Sequence, residues 1–212
     1  MILRTLTALI ALPASFALAA PVAGDQTGDP VARAEAPAPA TYQIDRVHSE
    51  LSFRIRHLIG RVAGTFTDWS GTLVLDPEDL STGKVEVTIQ TASISTLNSD
   101  RDAHLRTPDF FAADSFPTMT FKSNRVELLG GDRLKIHGDL TIRGVTKPVT
   151  LDAQYLGRME KDPWGMERVA FLASTKINRQ DFGVSYNQTL EKMTMIGDEV
   201  EIEIAIEAVK QQ

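Results

Sequence analysis

Eight stretches of this chain alternate apolar and polar residues with period two, and no other feature narrows the choice of fold so much. The last is the clearest: Val200, Ile202, Ile204, Ile206 and Ala208 alternate with Glu199, Glu201, Glu203 and Glu207. Such alternation puts one face of a strand on a core and the other in water. The first stretch sets Val47, Ser49, Leu51, Phe53, Ile55 and His57 against His48, Glu50, Ser52, Arg54 and Arg56. Between them lie 62–76, 83–95, 118–129, 133–143, 149–155 and 169–177. Asp76-Pro77, Gly130-Gly131, Gly144 and Asp162-Pro163 supply turns, and Gly71 reads as a bend or bulge within the second stretch. The class is all-β, an eight-stranded antiparallel barrel or a two-sheet sandwich. A membrane barrel has the same period but needs an apolar outer band. Here that face carries Glu199, Glu201, Glu203, Arg133 and Lys135, so water is the outer solvent.

One segment departs from the pattern. In 96–116 Asn98 or Ser99 can cap a short helix that runs to about Arg106, and Thr107-Pro108 reads as a second helix start. Leu105, Phe110 and Phe111 need apolar cover, which a barrel offers across an open end. The segment is therefore expected to be a short helical lid between strands 3 and 4.

The ends of the chain read differently. Residues 1–19, with Arg4, an apolar run from Leu6 to Leu18 and Ala17-Leu18-Ala19, read as a signal peptide cleaved after Ala19. The expected location is periplasmic. Residues 20–40 hold seven alanines and four prolines without an aromatic residue, the composition of a disordered linker. Residues 41–212 form one domain. Setting aside Arg4, Arg33, Asp25, Asp29 and Glu35 leaves it 20 basic and 25 acidic residues. That balance argues against nucleic acid, and against electrostatic docking on or stable insertion into a membrane.

Catalytic signatures are scarce. Cysteine is absent, and neither a hydrolase elbow nor a phosphate loop occurs. The histidines at 48, 57, 104 and 137 lack metal spacing, so neither metal nor cofactor is expected. His137 reads as a solvated outer-face residue, and Trp69 and Trp164 as anchors at turns. His57 ends an apolar strand face, and His104 sits in the lid beside Arg101 and Asp102. Either both tie lid to barrel, or they converge with Arg101 or Arg179 on the polar head of a bound molecule.

Y-x-I-D-x-x-H-S-x-L-x-F-x-I-x-H from Tyr42 to His57 resembles the opening of the YceI-like family of polyisoprenoid-binding periplasmic proteins. The similarity continues through Gly64-Thr65-Phe66, Arg101-Asp102-x-His104-Leu105, Phe116-Pro117-x-Met119-Thr120-Phe121 and the block Gly138 to Val149. Ile177 to Val184 and Val200 to Ala208 complete it. The resemblance implies an extended lipocalin-like barrel that holds a long isoprenoid or other lipid-like chain (a polyprenyl, quinone or fatty amide or acid), with binding and carriage rather than catalysis. Phe53, Ile55, Phe66, Leu73, Ile89, Phe121, Ile136, Leu140 and Phe171 are then the expected tunnel. Phe110 and Phe111 would close the mouth, and His57, His104 and Arg179 would meet the head group. A homodimer is left open. The alternatives are a barrel enzyme with His57 as general base and a ligand-free module with a filled core.

Overall fold

The computed structural model of the chain describes residues 38–190 and 193–212. The expected signal peptide, its cleavage point and residues 20–37 of the expected linker lie outside the described residues. In chain order the first half comprises β1 (Ala40–Ile44), β2 (Glu50–His57), β3 (Gly60–Phe66), β4 (Trp69–Asp76), β5 (Asp79–Gln90), β6 (Ile94–Ser95) and the single α-helix of the described residues, α1 (Ser99–Arg106). The second half comprises β7 (Thr118–Gly130), β8 (Arg133–Ile142), β9 (Val145–Met159), β10 (Arg168–Asn178), β11 (Thr189–Leu190), β12 (Met193–Thr194) and β13 (Ile196–Lys210).

These strands make eight long staves, one for each alternating stretch. β1 and β2 are two halves of the first, β3 and β4 of the second, and β5 and β6 of the third. β2 pairs with β3 while β1 pairs with β4, all antiparallel. The ring continues β4–β5–β7–β8–β9–β10–β13. β13 closes it, with Ala208 facing Val169 of β10 on one side and Ile44 of β1 on the other, and its first half pairing β2. The fold is a closed antiparallel β-barrel, and closure removes the free edges that an open sheet exposes. Cross-strand ion pairs cover the outer wall, among them Lys176–Glu199 at 2.8 Å and Lys122–Glu86 at 2.7 Å.

Two local expectations fail for physical reasons. Tyr42 and Ile44 are buried on even positions, whereas Leu51, Phe53 and Ile55 face inward on odd ones. A 3₁₀ turn at Arg46–His48 absorbs the extra residue, capped by Asp45, whose carboxylate accepts the Val47 N–H at 3.1 Å. Val47 therefore points outward and is 87% exposed. Gly71, in turn, is not a bulge: it pairs regularly with Val87. A side chain there would collide with the Glu86 carbonyl and with Ile44, so the glycine lets neighbouring strands and side chains close up.

The helix begins where expected. Asn98 Oδ1 accepts the Arg101 N–H at 2.9 Å, and α1 ends at Arg106. No second helix follows in 107–116. Thr107 turns its hydroxyl back to the His104 carbonyl at 2.7 Å instead of capping forward, and Ala112 adopts φ 48°. This stretch of turns passes from α1 to β7. Arg106 covers the unpaired edge of β6 through the carbonyls of Ala92 and Ile94, at 2.7 and 3.0 Å.

Candidate functional site

A barrel of eight staves can be filled by its own side chains or hold a small ligand. This one is not filled. Tyr42, Leu75, Leu134 and Val169 are buried at the end where β13 finishes. Towards the end where β13 begins, the inward residues Leu51, Phe53, Ile55, Ile136, Ala173, Ile177 and Ile204 are only half-buried. They border a cavity of about 450 Å³. Its wall is almost entirely aliphatic and aromatic, as ligand cavities generally are.

Polar groups gather at one end of the cavity. Arg56, His57, Thr96, Arg101, His104, Arg179, Tyr186 and Gln188 border it there, whereas Ser52, Lys84 and Thr175 border it further along. β2 delivers Arg56 and His57, whereas α1 delivers Arg101 and His104. The helix is locked to the chain before it: the buried Asp102 carboxylate accepts from the Thr96 N–H at 2.8 Å and hydroxyl at 2.5 Å. Arg101 grips Thr96 from the other side, through Oγ1 at 2.7 Å and the carbonyl at 2.9 Å. Arg143, in the β8–β9 turn, donates to the carbonyls of Pro108 and Phe110.

The three expected head-group residues differ in what they have to offer. His57 is exposed at the end of β2 and makes no side-chain hydrogen bond among the described residues, so it does not pin the lid. His104 Nε2 lies 2.9 Å from Asp109 Oδ2, and its ring meets Phe110 and Tyr186 edge-on at centroid distances of 5.0 and 5.1 Å. Arg179 borders the cavity but is a brace. Its Nε donates to Gly197 O at 2.8 Å and its Nη1 to Val184 O at 2.6 Å and Tyr186 O at 2.9 Å. Nη2 donates to Asp198 Oδ1 at 3.2 Å. Four of the five N–H groups of a guanidinium are thereby used. The residue is 4% exposed, and burial pushes its pKa down against the opposing pull of Asp198. The expectation that Arg179 greets a head group gives way to a structural role, because Val184 and Tyr186 stand outside any strand and Arg179 takes up their carbonyls.

A YceI-like domain matches residues 42–208. The chain belongs to the YceI-like family. It is 41% identical to protein YceI of Escherichia coli O157:H7 over 176 residues, which is 82% of this chain and 88% of that one. Protein YceI of Salmonella newport is 42% identical over the same span and shares. The YceI protein of Campylobacter jejuni has the same fold in crystals, at 35% identity and TM-score 0.66, covering 74% of this chain and 90% of that one. A polyisoprenoid binding domain from Saccharophagus degradans implicated in plant cell wall breakdown shares the fold at 16% identity. Its TM-score is 0.59, with 81% of this chain and 99% of that one covered.

Within this YceI-like barrel, every residue expected at the site borders this cavity: Phe53, Ile55, His57, Phe66, Leu73, Ile89, His104, Phe110, Phe111, Phe121, Ile136, Leu140, Phe171 and Arg179. Alternation accounts for most of that placement, since it sorts inward from outward residues. Tyr186 is the main omission. It packs against Phe110 at 4.9 Å as well as against His104, yet it stands in the non-periodic loop after Gly183. The lone aromatic in Gly-Val-Ser-Tyr-Asn-Gln was its signal. Trp69, expected as a turn anchor, is also on the cavity wall, whereas Trp164 is exposed with the Arg168 guanidinium over its ring at 5.6 Å. His137 is not simply solvated, being half-buried between Thr150, Glu127 and Arg125 on the outer wall.

Proposed function

We propose that this YceI-like barrel is an exported, periplasmic carrier that holds a long isoprenoid or other lipid-like chain in its cavity. The observation that carries the reading is a continuous apolar cavity whose polar groups cluster at one end. That layout suits an amphiphile with a long apolar tail and a small head. Each methylene taken from water contributes about 0.8 kcal/mol, so a ten-carbon stretch is worth roughly 8 kcal/mol before the cost of ordering chain and complex. This term hardly separates one tail from another, so selectivity falls to the head-group end, where the ring nitrogens of His57 have no hydrogen-bond partner among the described residues and Tyr186 and Gln188 are within the wall. The polyisoprenoid binding domain of Saccharophagus degradans, built on the same fold, supports the tail chemistry, and the N-terminal sequence supports export. A filled, ligand-free core is disfavoured by the cavity itself.

The test is to purify the mature protein from bacteria, extract it with solvent and identify bound lipid by mass spectrometry. A stoichiometric polyprenyl, quinone or fatty compound is expected. Ala173→Phe, which fills the middle of the cavity, should reduce it to background while the far-ultraviolet spectrum is unchanged. Repeated absence of lipid, with no uptake of added quinone or polyprenol, refutes the reading.

A further inference from the structure

Two turns at the polar end of the cavity break the usual chemistry of tight turns. Leu58, in the β2–β3 turn, and Leu97, just before α1, have positive φ of 52° and 60°. Glycine, asparagine and aspartate are favoured there, and a leucine is strained. Nor are these turns covered. Ile59 and Leu97 are each 98% exposed, more than any other large apolar side chain among the described residues. A local rule broken without structural gain points to function.

Both tips belong to one rim. Ile59 lies two residues beyond His57. Leu97 lies two residues beyond Ser95, whose partner is Thr65, so its segment runs back along β3 towards the same turn. Cationic groups flank them. From Arg54 to Arg61 the chain carries Arg54, Arg56, His57 and Arg61 and no carboxylate. Arg54 and Arg61 reach to Glu203 and Glu201 on β13. Arg56 instead donates to the carbonyls of Leu58 at 2.9 Å and Thr194 at 3.2 Å, and to the Thr194 hydroxyl. Among the described residues the Arg101 side chain donates to Thr96 alone. Neither Arg56 nor Arg101 has a carboxylate partner among the described residues, and Asp100 is the one acid adjoining Leu97 on α1.

We propose that this rim is the face with which the barrel meets a phospholipid bilayer, Ile59 and Leu97 dipping into the acyl boundary while Arg56 and Arg101 face lipid phosphates. The inference rests on the carrier reading and adds the surface from which the cargo is taken. Two separate aliphatic tips are too little for a stable protein partner, which covers on the order of 1,000 Å² or more. A few apolar side chains beside snorkelling cations are what a head-group layer accepts, reversibly. The acidic balance of the whole domain excludes adhesion by bulk charge, so attachment is local and shallow.

The experiment compares the parent protein with the double variant Ile59→Asn, Leu97→Asn. Asparagine tolerates the left-handed backbone of Leu97, and Ile59 is fully exposed at its turn, so the fold is retained and thermal unfolding checks it. Both proteins are floated with vesicles of phosphatidylethanolamine and phosphatidylglycerol, and with vesicles of phosphatidylcholine alone. The parent is expected to float, more on the anionic vesicles, and the variant to lose about tenfold or more of that association. Transfer of a fluorescent polyprenol between vesicles should slow in parallel. Equal flotation of the two proteins, or no flotation of the parent, overturns the proposal. So does a parent dimer that the variant turns into a monomer with vesicle association unchanged, which would assign the tips to a second copy of the chain. Lipid extracted from the same samples reports separately on the carrier reading, so failure of one is distinguishable from failure of the other.

Discussion

The two ends of the barrel put most of their arginines to different uses. Where β13 finishes, cations meet carboxylates across strands. Arg168 contacts Asp162 at 2.6 Å, Asp45 at 2.8 Å and Glu207 at 3.4 Å, while Arg158 and Lys210 converge on Glu167. Glu167 also accepts the hydroxyl of the fully buried Tyr42. Burial raises the Tyr42 pKa, and the Glu167 carboxylate reinforces this. Burial alone would raise Glu167 too, but the hydrogen bonds from Tyr42, Arg158 and Lys210 hold its pKa down. Where β13 begins, Arg54 and Arg61 still pair with Glu203 and Glu201 on the outer wall, but Arg56, Arg101, Arg106, Arg143 and Arg179 donate mainly to backbone carbonyls. The difference follows from the chain. At the sealed end regular ladders satisfy the backbone, and charges are left to pair with charges. At the mouth irregular chain leaves carbonyls over, and guanidinium groups tie them down. One end is locked by side chains; the other is a set of tethered loops.

Glu167→Ala should separate the two ends most sharply. It strips Arg158, Lys210 and a buried phenol of their shared acceptor and should cost about 2–3 kcal/mol in urea unfolding. Bound lipid per folded molecule should stay the same, and its loss would show that the ends are coupled. Arg179→Ala should cost less globally, about 1–2 kcal/mol, and act locally. Faster hydrogen exchange is expected across 183–189 and 194–197, with quicker release of lipid; uniform loss of protection throughout the barrel would contradict the tethered-loop description. The smallest effect is one of pH. The hydrogen bonds of Asp45 with Arg168 and His48 lower its pKa from 3.8 to about 2. A carboxyl held down in the folded state stabilises above its unfolded pKa, and that contribution is lost as pH falls from about 4 through about 2. The difference, on the order of 1–2 kcal/mol after allowance for partial exposure, should flatten in Asp45→Asn when unfolding is followed over that range.

How far this architecture could be read beforehand depends on the residue. Inward-facing positions such as Phe53, Phe121 and Ile204 were legible because alternation is a local signal, and so was the α1 cap at Asn98. Val47 was misread because the 3₁₀ turn leaves it in step with the stretch that follows, and no local pattern marks a one-residue slip. Arg179 and His137 were misjudged for another reason. Their partners lie 5 to 19 and 10 to 13 residues away, on other elements, and hydrogen-bond satisfaction has no periodicity to betray it. No sequence pattern marks the tips at Ile59 and Leu97, since exposure at a turn emerges only when the turn is built.

The stave that closes the ring is the last to be made. β13 supplies a neighbour to β1 and β2 and another to β10, and the Gln211 N–H reaches the Thr41 carbonyl at 2.8 Å. Beginning and end of the domain therefore meet on the same wall, and the ring itself has no privileged starting point. A chain cut at the exposed Gly130-Gly131 turn and rejoined through a short linker between residues 212 and 40 would keep every ladder except that hairpin's connection. The natural order of the staves decides only when the ring closes: until residue 210 is available, β1 and β2 have no partner on one side, and the cavity cannot exist.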